Sequence, residues 1–106
     1  MPKGIMVVQS SPSDPSREDE YNDWYDNTHL PEVLAVPGFV SARRYKVFGG
    51  AGPSQHAYLA VYELEADDLT APVRELRARS ASGGTTKRDL PPLGPPPVVT
   101  IYELLD

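Results

Sequence analysis

Residues 39–64 read FVSARRYKVFGGAGPSQHAYLAVYEL, and this stretch decides the fold. From Phe39 to Phe48, one face carries Phe39, Ser41, Arg43, Tyr45 and Val47, and the other carries Val40, Ala42, Arg44, Lys46 and Phe48. That alternation predicts a strand. Gly49-Gly50-Ala51-Gly52-Pro53 then forms a loop, because glycine and proline break regular structure. His56 to Leu64 predicts the next strand, with His56, Tyr58, Ala60, Tyr62 and Leu64 on one face. Ala57, Leu59, Val61 and Glu63 take the other. Two strands in succession, without a helix between them, exclude a simple alternation of strand and helix.

Working outward from this pair, the flanking segments each supply a strand and a helix. Ile5 to Val8 is continuously apolar and β-branched, as a strand buried on both faces requires. Asp14-Pro15 or Ser16 can cap a helix, and Glu18, Asp19 and Glu20 place negative charge where the helix dipole favours it. Tyr21, Trp24, Tyr25 and Thr28 recur at helical spacing and form one aromatic stripe. Pro31 disfavours helical geometry at Leu30, so the helix is expected to end or kink there, with a short turn over 32–36. On the other side, Leu69, Val73 and Leu76 mark a helix over about 68–82 that Gly83-Gly84 stops. Val98 to Leu105 is the last strand. The order β-α-β-β-α-β is the ferredoxin-like arrangement, an α+β fold with two helices on one face of a four-stranded antiparallel sheet. Apolar side chains on both strand faces predict that the bare face meets the sheet of a second copy.

Composition narrows the function classes. The 106 residues hold 15 acids, 10 bases, two histidines and no cysteine. One domain over 1–106 is expected, with roughly 65% of the unfolded chain's surface buried on folding. Without cysteine there is no disulfide frame, thiolate zinc site or iron–sulfur cluster, and two histidines cannot build an all-imidazole cage. A net charge of −5 argues against nucleic acid as a partner. No apolar run is long enough to span a membrane, and the first ten residues lack a signal-peptide pattern, so a cytoplasmic protein is expected. The 12 prolines cluster at 10–16 and 91–97 and otherwise mark element boundaries; the run at 91–97 is expected to form a rim, a lid or a spacer.

The stretch NDWYDNTHLPEV at 22–33, running into VPGFVSARRY at 36–45, resembles the EthD-like branch of the dimeric α/β-barrel superfamily. Tyr58 to Leu64 also resembles that family's third strand. The resemblance implies two ferredoxin-like subunits joined sheet to sheet, with a pocket between each sheet and its helices. The superfamily includes cofactor-free monooxygenases, polyketide cyclases, an isomerase, haem proteins and binding proteins, so the fold does not select a reaction.

The candidate residues are those that can move or hold a proton. His29 is a natural general acid or base near neutral pH, or else a cap on the last helical carbonyls. Tyr25 lies one turn before it and is the candidate partner in catalysis. Trp24 and Tyr21 carry polar N–H and O–H groups that a dry core would not select. His56, Tyr62 and Tyr102 are expected to line a cleft suited to a flat, hydroxylated ligand, or to pair across strands at an interface. Arg44 is expected to bind an anionic ligand group or to pair with the acidic first helix. Phosphate-cradling loops and a nucleophile elbow are absent from the sequence. The expected function is a small, cofactor-independent, metal-free enzyme in a catabolic or biosynthetic pathway. It would act on an aromatic or polyketide-like molecule by cyclisation, isomerisation or dehydration. A carrier of a hydrophobic metabolite and a cofactor-free monooxygenase are the alternatives.

Overall fold

The computed structural model describes residues 2–11, 15–48, 56–81 and 97–105. The expected cap at Asp14, the loop at 49–53 and most of the proline run, 91–96, lie outside them. Strand β1 spans Lys3–Ser10, β2 Phe39–Lys46, β3 Tyr58–Glu65 and β4 Val98–Glu103. They form one antiparallel sheet in the order β2-β3-β1-β4, with the helices on one face. This is the ferredoxin-like fold.

The helical segment before β2 departs from expectation in an instructive way. A 3₁₀ turn at Pro15–Arg17 leads into α1, Glu18–Trp24, whose N-cap is Arg17 with no side-chain cap bond. Pro31 does not end the helix. Instead Tyr25–His29 forms a π-turn, and α2 continues over Leu30–Leu34. The Leu30 N–H bonds to the Tyr25 carbonyl five residues back. Pro31 has no N–H to give and its ring would crowd the carbonyl of residue 27 in an α-helix; one wide turn relieves both problems. Gly38 then turns the chain at φ +99, with Pro72 packed where a Cβ would sit, and its carbonyl accepts the Glu65 N–H at 2.9 Å. Helix α3, Thr70–Ala81, starts after Asp68, whose carboxylate accepts the Thr70 N–H at 2.9 Å.

The core lies between sheet and helices. Met6, Tyr62, Leu64 and Ala60 from the strands meet Tyr21, Tyr25, Val33 and Val36 from the first helical segment, and Val73 from α3. Phe39 joins them against expectation. A register shift between Phe39 and Ser41 turns Phe39 to the helix side with Ala42, Arg44 and Lys46, where its ring meets Tyr62 edge-on at 5.9 Å. The opposite face presents Ile5 and Val7 of β1, Leu59 and Val61 of β3, and the half-exposed Tyr45 and Tyr102. Among the described residues no helix is long and apolar enough to cross a membrane.

Candidate functional site

A cavity of about 360 Å³ opens between the sheet and its helices. Met6, Val8 and Ser10 of β1, Tyr62 of β3 and Val99 of β4 form its floor. Trp24, Tyr25 and His29 form one wall; Val73, Leu76, Arg77 and Ser80 of α3 form the other, and Pro97 completes the rim. Of the expected residues, Trp24, Tyr25, His29 and Tyr62 therefore come together. The π-turn ties three of them into one unit. His29 stacks on Trp24 with ring centres 4.7 Å apart and planes 19° apart, and meets Tyr25 edge-on at 5.0 Å.

Tyr62 contributes the buried polar group. Its side chain is fully buried, and its hydroxyl has no hydrogen-bond partner among the described residues. Burial first, and the neighbouring Tyr25 phenol second, push its pKa far above the ordinary tyrosine range. The two phenols interact electrostatically without reaching hydrogen-bond geometry. The Tyr62 hydroxyl thus stays protonated, a buried donor in the layer that lines the cavity.

Four expected residues lie elsewhere. Tyr21 is fully buried behind the wall, hydrogen-bonded to Ser10. Arg44 sits on the far side of the Tyr25 ring, 4.3 Å from its centre, and also over Tyr21 and Tyr58. Its guanidinium donates to Asp26 and Asn22, each at 3.0 Å, which is the expected pairing with the acidic first helix. His56 is buried, with Nδ1 3.2 Å from the Ser11 hydroxyl, and is outside the cavity lining. Tyr102 pairs with Ile5 on the opposite face of the sheet, because even positions of β4 point away from the helices there. Among the described residues no cluster of three histidine or acidic side chains is gathered as a metal site requires.

Residues 12–75 match the family described as a domain of unknown function, DUF4286. The chain belongs to the DUF4286 family. The matched span carries Trp24, Tyr25, His29, Tyr62 and Val73 of this DUF4286 protein; Met6, Val8, Arg77 and β4 fall outside it. No curated protein matches the DUF4286 chain in sequence. Its fold, however, recurs in solved structures. An EthD-family protein of Bacillus halodurans aligns with a TM-score of 0.64 at 20% identity, over 99% of this chain and 100% of the other. A dimeric ferredoxin-like protein of Thermobifida fusca aligns at 0.59 and 14%, over 97% and 92%. A Streptomyces coelicolor monooxygenase in complex with nanaomycin D aligns at 0.56 and 17%, over 99% and 88%. The EthD-like resemblance of the sequence thus holds at the level of the fold.

Sequence reasoning missed the second wall of the DUF4286 cavity. Met6 and Val8 were legible only as a buried strand, and Arg77 and Ser80 as the polar remainder of an amphipathic helix. Arg77 lies four residues after Val73, so helical spacing alone could have placed it on the sheet-facing side.

Proposed function

We propose that this chain is a small enzyme that takes an aromatic or polyketide-like molecule between sheet and helices. His29 serves as its general acid or base, and Tyr25 and Tyr62 orient the substrate. The observation that carries this reading is the contact of His29 with both Trp24 and Tyr25 on the wall of a largely apolar cavity that also holds the Tyr62 hydroxyl. The volume suits a molecule of two or three fused rings, and the lining holds few polar groups. An imidazole so placed can take a proton from an acidic C–H or O–H of the ligand and return it elsewhere on the same molecule, as cyclisation, isomerisation and dehydration all require. The protonated Tyr62 phenol is suited to stabilise the enolate or phenolate formed between the two transfers.

The same reading pairs two copies through their open sheet faces. Apolar Ile5, Val7, Leu59 and Val61 there, with Tyr45 and Tyr102 half exposed, support it. A monomer in sedimentation at micromolar concentration would remove the pairing.

Trp24 is the single tryptophan, so its fluorescence reports occupancy of the cavity. Titration with hydroxylated naphthalenes and anthrones identifies ligands, and chromatography shows whether they are converted. Turnover in the His29→Ala variant is expected to fall by about a hundredfold or more. Unchanged turnover removes His29 from the mechanism. Ligands recovered unaltered from the wild-type protein point to a carrier.

A further inference from the structure

We infer that the ligand of this cavity carries an anionic group, a carboxylate or an acidic phenol, which Arg77 holds at the cavity mouth. This rests on the small-molecule reading above and adds the charge of the substrate. The chain has 15 acids and a net charge of −5, yet among the described residues no Asp or Glu lines the cavity. Its ionisable lining consists of Arg77, His29, Tyr25 and Tyr62.

Helix α3 carries two other arginines, and both are paired. Arg74 pairs with Asp68 at 3.2 Å, and Arg79 pairs with Glu75 at 3.0 Å; both acids lie close in sequence. Arg77 has no ion pair among the described residues. The positions that could pair with it along the helix are Val73, Arg74, Ser80 and Ala81, none acidic. It is exposed and lines the cavity, next to the apolar surface of Val73 and Leu76. A flat ligand with its ring against those side chains would bring an acidic substituent to a guanidinium that can grip it with two parallel hydrogen bonds. A neutral ring would leave that charge unused. Among the described residues no carboxylate stands on the wall to repel it, and an anion there meets favourable or neutral side chains.

The test uses Trp24 fluorescence with two probes of nearly equal shape, naphthoate and its neutral carboxamide, at about pH 8, where ordinary imidazoles are neutral. Wild-type protein is expected to bind naphthoate about fivefold more tightly than the amide. Arg77→Gln removes that preference by weakening naphthoate alone, and Arg77→Lys restores part of it. Equal binding of both probes to the wild type, or a preference that survives in Arg77→Gln, overturns the assignment and leaves the cavity reading intact. Failure of both probes to bind overturns the two together. Arg77 is exposed and outside the core, so its variants are expected to fold.

Discussion

The two sides of the Tyr25 ring make the sharpest contrast in this molecule. Behind it lies Arg44 among Tyr21, Tyr58, Asn22 and Asp26; in front lie His29, Trp24, Tyr62 and, across a gap, Arg77. Both sides are aromatic and each has one arginine. Behind the ring, the guanidinium has two oxygen partners and three ring faces. In front, the gap stays open, and Arg77 on its far wall has no ion pair among the described residues. The two arginines differ in how far neighbouring side chains engage them.

Breaking the filled side should cost the most stability. Arg44→Ala removes two hydrogen bonds and the contacts to three rings, and is expected to lower unfolding stability by about 2 kcal/mol. Arg44→Lys should recover little, since a single ammonium cannot reach Asp26 and Asn22 in the same way. Urea midpoints at constant slope measure both. On the open side, Tyr62→Phe is expected to change stability by less than about 1 kcal/mol, because it deletes a buried hydroxyl with no hydrogen-bond partner among the described residues. The same variant should weaken probe binding in the Trp24 titration. A large loss of stability in Tyr62→Phe would show that the hydroxyl belongs to the fold and not to the site.

The smallest expected effect lies at the rim of the filled side. Hydrogen bonding to Tyr58 first, and to Lys46 second, holds the Glu18 carboxyl below its ordinary range, and Glu18 raises Lys46 in turn. A lowered carboxyl contributes stability above its unfolded pKa and loses it as pH falls through the folded one. A raised ammonium contributes below its unfolded pKa and loses it as pH rises through the folded one. Both groups are exposed, so the contribution is small. Glu18→Gln should slightly flatten the acid and alkaline limbs of the melting-temperature profile; unchanged limbs would show that the pair is screened out.

The order of elements was legible because alternation and helical spacing report burial directly. The aromatic wall was legible for the same reason: Tyr21, Trp24 and Tyr25 share a helical face. Local one-residue irregularities were not. The register shift beside Phe39 moves that ring to the core, and no period-two count from Phe39 to Phe48 can contain it. For Tyr102 a place in the cleft and a cross-strand pairing are equally compatible with the sequence, which does not name its strand partner; pairing with Ile5 fixes its face. Arg44 and Arg77 could not be told apart as sequence, because their difference lies in who stands next to them in space.

The π-turn gives the site an unusual dependence on chain length. In an uninterrupted α-helix, residues five apart point about 140° away from each other. Trp24 and His29 would then face different surroundings, and their stacked pair would not exist. The wide turn accommodates one extra residue per turn, and that surplus swings His29 round onto Trp24. The stacked pair thus arises through a change in spacing, with no new side chain invented. Among relatives, the number of residues between the tryptophan and the proline is therefore as informative as their identity.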